Sequence, residues 1–131
     1  MTNILVVEDR DSKYELLEGE LKLMNVKFSR GRSIQEGMKI FITSIEPIDL
    51  LILDMQFPRY TNERILANAG VIFIEEMKLR CKSRVRALKM PQIIGYSEFK
   101  FSEFYKGDLP KEFIGQGESC YELLELINNN I

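Results

Sequence analysis

The chain has 131 residues, 45% of them hydrophobic and 29% charged, with a formal net charge of -2. That length suits one domain able to bury roughly two-thirds of its unfolded surface, and the composition excludes a disordered or fibrous chain. Nearly balanced charge gives no bulk electrostatic footprint for nucleic acid, and no apolar run or signal-like segment points to a membrane. The expectation is a cytoplasmic protein that binds neither.

There is no histidine, which excludes histidine-based catalysis, histidine metal ligation and a phosphohistidine on this chain. Cys81 and Cys120 make neither a disulfide framework nor a zinc pattern and read as small apolar residues in a reducing compartment. Lys78, Arg80, Lys82, Arg84, Arg86 and Lys89 crowd one segment behind Glu75 and Glu76, the mixture of a solvated helix face.

In chain order, Asn3 to Val7 is an apolar strand run ending in Glu8-Asp9. Tyr14, Leu17, Leu21 and Met24 recur at helical spacing over Asp11 to Met24. Val26 to Ser29 is a short strand. Ser33 and Glu36 form a capping-box pair opening a helix to about Thr43, with Ile34, Met38, Phe41 and Ile42 inward. Leu50 to Leu53, four aliphatic residues between Asp49 and Asp54, read as a strand buried on both faces.

Arg59 to Ala69 is polar and without clear periodicity, a loop reading that makes the Pro58–Val71 connection long. A tolerated insertion is the favoured explanation, a lid or partner surface the alternative. Val71, Ile74, Met77, Cys81, Val85 and Leu88 follow at helical spacing up to Pro91. Gln92 to Tyr96 is a strand ending at Ser97, Phe99 to Tyr105 a helix stopping near Gly107, and Glu112 to Gly115 a last strand. Ser119 and Glu122 cap a final amphipathic helix carrying Leu123, Leu124 and Ile127. This alternation predicts one domain over 1–131, with a parallel sheet, right-handed crossovers and helices on both faces.

Ligands of open α/β sheets bind at the carboxyl ends of the strands. If the first and third long strands are neighbours, Glu8, Asp9 and Asp54 converge there. Three close carboxylates repel, so they take up protons or a hard divalent cation such as Mg²⁺. With its charge screened, Asp54 could attack phosphorus and form an aspartyl phosphate, and Ser97 could donate to the phosphoryl group. Each residue alone has a plainer role, since Glu8 or Asp9 could cap the first helix and Ser97 the next. The reading depends on their joint placement. Asp54 turned away, or a basic side chain filling the gap between the acids, would overturn the signalling reading and leave a scaffold of unassigned role.

The segments Ile4-Leu5-Val6-Val7-Glu8-Asp9, Asp49 to Asp54 with Pro58 four residues on, Ile93 to Ser97, and Phe113-Ile114-Gly115-Gln116 together resemble a response-regulator receiver domain over essentially the whole chain. The resemblance implies a flavodoxin-like five-stranded sheet in order 2-1-3-4-5. It implies Asp54 as phosphoacceptor, with Mg²⁺ held by Glu8, Asp9, Asp54 and the Gln56 backbone carbonyl. It makes Ser97 the switch hydroxyl and Phe113 the switch aromatic, with relay through roughly Glu98–Ile131. The implied donor is a sensor histidine kinase or phosphotransfer protein, and the implied output is a separate downstream protein, with no output domain attached.

Two positions depart from that family. Gln116-Gly117 stand where it has lysine and proline, so the phosphoryl-pairing charge is missing; a glutamine offers only a neutral hydrogen bond. Glu98 adds a carboxylate beside the site. Restoring lysine at 116 is expected to slow loss of the phosphoryl group or strengthen the response, unless Lys100 or Arg59 already compensates. The alternative function is a pseudo-receiver, the same fold used as a phosphorylation-independent interaction module. A haloacid-dehalogenase-type phosphatase is disfavoured because Gln56 replaces its general-acid aspartate, and a Rossmann role because no glycine-rich turn follows the first strand.

Overall fold

The computed structural model describes residues 1–83 and 88–131. In chain order its elements are β1 (Thr2–Val7), α1 (Asp11–Leu21), β2 (Val26–Gly31), α2 (Ile34–Thr43), β3 (Leu50–Leu53), β4 (Phe57–Pro58), β5 (Ile65–Leu66), α3 (Ala69–Lys82), β6 (Gln92–Tyr96), α4 (Phe101–Phe104), β7 (Phe113–Gly117) and α5 (Cys120–Asn128). Five parallel strands form one sheet in the order β2-β1-β3-β6-β7. Counting only these strands, the order is the expected 2-1-3-4-5 of a flavodoxin-like fold.

The apolar runs explain why the sheet is covered twice. Side chains alternate across a strand, so Leu5, Val7, Leu51, Leu53 and Ile93 face one way, against Met38 and Phe41 of α2 and Phe73, Ile74 and Met77 of α3. Ile4, Val6, Leu50, Ile52 and Ile94 face the other, against Tyr14, Leu17 and Leu21 of α1 and Leu123 and Ile127 of α5. Burying each large aliphatic side chain contributes roughly 1.5–3 kcal/mol. A one-residue slip of β3 would exchange every partner and pull Asp49 or Asp54 inward, so the apolar run fixes the register that sets Asp54 at the sheet edge. The layers also approach closely: a Cβ on Gly31 would lie 2.6 Å from Gly37 Cα, which seats α2 against β2.

Both serine N-caps form: Ser33 accepts from Glu36 N–H at 3.1 Å and Ser119 from Glu122 N–H at 3.2 Å, while each glutamate carboxylate accepts from the N–H of the residue before the cap, Arg32 and Glu118.

Several boundaries differ from expectation. The helix α1 ends at Leu21, not Met24, while β2 runs on to Gly31 and β7 to Gly117. The expected Phe99–Tyr105 helix is one turn, α4. Of the third helical stripe, Ile74 and Met77 are buried and Phe73 joins them, Leu88 lies beyond the helix, and Val85 falls outside the described residues, as do Arg84 and Arg86.

The Arg59–Ala69 segment is not simply a loop. β4 and β5 pair antiparallel, and the turn between them holds Asn62 at φ 68°. Gln35 N–H donates to Arg59 O at 3.0 Å, the Thr61 hydroxyl bonds Glu36, and Arg59 pairs with Glu76 at 3.1 Å. The hairpin is thus tied to both α2 and α3.

Candidate functional site

Val7 and Leu53 are direct partners across β1 and β3, so the next residue of each strand, Glu8 and Asp54, emerges side by side. Backbone bonds hold them there: Asp54 N–H donates to Val7 O at 3.2 Å and Glu8 N–H to Gly31 O at 3.0 Å. One carboxylate oxygen from each of Glu8, Asp9 and Asp54 lies within 4.8 Å of the others. The structure therefore brings the three sequence-predicted acids together. Glu8 is 2% exposed and Asp54 5%. On the far side, a Cβ on Gly70 would lie 2.5 Å from the Asp54 carbonyl oxygen, so the first turn of α3 closes directly on Asp54.

Burial pushes Glu8 up from 4.5 to about 8; the neighbouring Asp54 charge acts in the same direction, while Lys13 and the Arg10 N–H oppose it. Burial also raises Asp9. Asp54 Oδ1 accepts from Met55 N–H at 2.7 Å.

A basic side chain does stand in the gap, the arrangement set against signalling through Asp54, although among the described residues it pairs with Glu8 and Asp54 and not with Asp9. Lys13, in the first turn of α1, places Nζ 3.2 Å from Glu8 Oε2 and 3.4 Å from Asp54 Oδ1. It also donates to Tyr96 O at 2.9 Å and lies 4.2 Å from the centre of the Tyr96 ring. Sequence reasoning missed it. The available signal was its place four residues before Leu17, one turn up the stripe that α1 buries, where a charged residue needs a partner.

The pocket fits a hard cation. Its acidic donors are carboxylate oxygens, buried Asp9 Oδ1 has no hydrogen-bond partner among the described residues, and Glu8 Oε2 is met by the Lys13 ion pair. Oxygen-rich sites with open positions suit Mg²⁺.

The acids open into a cleft of about 380 Å³ lined by Asp9, Lys13, Asp54, Gln56, Ser97 and Glu98 among others. Gln56 and Ser97 thus line the same cleft as the acids. The Ser97 side chain is buried and its Oγ accepts from Phe99 N–H at 3.0 Å; a hydroxyl used as acceptor still has a proton to donate. Glu98 is exposed at the rim. Glu118 and Ile65, neither singled out in the sequence, line the cleft too, and Ile65 brings the β4–β5 hairpin over its edge.

Gln116 is occupied elsewhere. Its amide donates to Ser97 O at 2.8 Å and Phe99 O at 2.7 Å, and its oxygen accepts from Phe101 N–H at 3.2 Å. The side chain braces the β6–α4 loop. Neither Lys100 nor Arg59 lines the cleft, whereas Arg10 and Lys13 do; among the described residues Lys13 is the cation within 4.0 Å of Asp54. Phe113, half-buried, packs on Phe101 with ring centres 5.2 Å apart.

The doubly wound sheet with acids at its first and third carboxyl ends is the fold of response-regulator receiver domains. TrrA of Thermotoga maritima, solved in complex with Mg²⁺-BeF, superposes with a TM-score of 0.68 at 23% identity over 100% of both chains. The same protein in complex with histidine kinase ThkA gives 0.63 at 21%, over 100% of this chain and 99% of that one. The chemotaxis protein CheY4 of Vibrio cholerae gives 0.69 at 15%, with the same coverage. No family profile matches the sequence, and no curated relative does. No helix among the described residues is long and apolar enough to cross a membrane.

Proposed function

We propose that the chain is a receiver domain that accepts a phosphoryl group on Asp54 and signals through its surface to a partner protein. The observation that carries this reading is the convergence of Glu8, Asp9 and Asp54 with Ser97 at one cleft on the carboxyl edge of the sheet. Glu8, Asp9 and Asp54, with the Gln56 carbonyl, are the groups that would hold Mg²⁺, which when bound neutralises charge that would repel an incoming phosphoryl group. The donor is a phosphohistidine of a sensor kinase or phosphotransfer protein. An Asp54 oxygen forms the new bond to phosphorus while the P–N bond breaks. The departing imidazole keeps the electron pair and takes up a proton. In this reading the Ser97 hydroxyl, which borders the same cleft, donates to a phosphoryl oxygen.

A second reading, the pseudo-receiver, draws on two observations: Lys13 pairs with the acceptor, and Gln116 is committed to the backbone. Incubation with a small-molecule phosphodonor and Mg²⁺, read by intact mass, separates the two. A single phosphate adduct that requires metal and is lost in Asp54→Asn is expected. No adduct and no Mg²⁺ affinity would leave the interaction module.

A further inference from the structure

We infer that Lys13 is a tethered cation of the acid pocket: it neutralises Glu8 and Asp54 while no metal is bound, and must withdraw from them when a divalent cation enters. The inference deepens the reading above and rests on it.

The geometry supports displacement over a fixed structural pair. The Lys13 ammonium contacts two of the three carboxylates, Glu8 at 3.2 Å and Asp54 at 3.4 Å. A divalent ion on those oxygens would meet the ammonium at contact distance, so both cannot hold them as Lys13 does now. Among the described residues it is the only lysine or arginine within 4.0 Å of Asp54. Its alternative holding is already in place. Tyr96 offers a backbone carbonyl at 2.9 Å and a ring face at 4.2 Å, and a lysine on a flexible four-carbon stem can leave the acids by pivoting about that carbonyl, which changes its position over the ring. The side chain is 14% exposed and borders the cleft, so the path out is open. Tyr96 precedes Ser97, which keeps the withdrawn charge beside the place where a phosphoryl group would sit. Lysine here approaches from α1, while the β7 end carries Gln116, whose amide is bound to the β6–α4 loop.

The test uses the whole chain and MgCl₂ as the probe. In the isotope-labelled wild type, Lys13 Nζ lies 4.2 Å from the Tyr96 ring centre, so the resonance of the adjoining ε-methylene is sensitive to its position relative to the ring. Mg²⁺ affinity is measured by calorimetry in parallel for wild type and Lys13→Met, which keeps most of the stem and removes the charge. The expected result is that Mg²⁺ binds, the ε-methylene resonance moves with saturation, and Lys13→Met binds on the order of tenfold more tightly, because a competing charge is gone. Wild type that binds Mg²⁺ with the Lys13 resonance unmoved overturns the inference and spares the receiver reading, as does a folded Lys13→Met of equal or weaker affinity. Binding by Lys13→Met alone supports Lys13 as the pocket's cation and sinks the metal-dependent receiver reading. Binding by neither sinks both. Should Lys13→Met fail to fold, the wild-type titration decides.

Discussion

Removing the Gln116 amide tests whether this position braces the loop or serves the phosphoryl site. Its three hydrogen bonds, to Ser97 O, Phe99 O and Phe101 N–H, span 2.7–3.2 Å and reach backbone that no strand or long helix supports. At a net worth of roughly 0.5–1.5 kcal/mol each, with water recovering part of the loss at the exposed Phe99 carbonyl, Gln116→Ala should cost about 2 kcal/mol in urea unfolding. Hydrogen exchange adds position: the Phe101 amide, bonded to Gln116 Oε1, should exchange faster while amides of β1 and β3 change only with global stability. Gln116→Lys removes the acceptor for Phe101 and keeps only donors, so it should fall between alanine and wild type. It would place its charge at the loop, so any gain at Asp54 requires the loop to open first. A loss below about 0.5 kcal/mol in Gln116→Ala with unchanged Phe101 exchange would refute the bracing argument.

Two further outcomes concern the acids. Glu8 is raised from 4.5 to about 8 in the folded chain, so between those values the folded state keeps a proton that the unfolded chain has lost. Metal-free stability from this group is therefore full below 4.5 and lost as pH rises through about 8, by a few kcal/mol at most. Urea unfolding in chelator should show that decline in wild type and a flatter profile in Glu8→Gln; parallel profiles would remove Glu8 as the cause. Gly70→Ala sets a Cβ 2.5 Å from Asp54 O and 2.8 Å from the Phe101 ring. Overpacking of roughly 1–3 kcal/mol should outweigh the helix propensity gained, lower stability and impair phosphoryl acceptance, whereas a Gly70→Ala variant more stable than wild type would show that α3 is not closed on Asp54.

The sheet was legible because its strands are buried on both faces. Leu50 to Leu53 have no polar position to confuse the period, and every crossover helix but α4 carries a clear stripe or capping box. Where stability comes from distant partners, the sequence was silent. Phe57–Pro58 and Ile65–Leu66 are two-residue strands held by Gln35, Glu36 and Glu76 from other elements, none adjacent in the chain. The helix α4 was overestimated because Phe99 looked like the start of its apolar face. It instead precedes the N-terminal residues of α4 and packs edge-on against Phe104 with ring centres 6.3 Å apart.

The same distinction explains how the acids were found and the cation was not. Glu8 and Asp54 each end a strand, and parallel pairing converts strand ends into neighbours. Lys100 and Arg59 lie near the site loops in sequence, but Arg59 is paired with Glu76 and Lys100 is exposed outside the cleft. Lys13 reaches Asp54 because α1 packs across β1 and turns its first residues toward the carboxyl edge. Protonating Glu8 and pairing with Lys13 are two ways to neutralise the same buried acids, and each alone has a cost to function. A proton on Glu8 weakens it as a metal ligand, and a permanently paired Asp54 is a poor nucleophile. A lysine with a second resting place on Tyr96 offers a way between them: if it withdraws as we infer, the acid oxygens become available to a divalent ion.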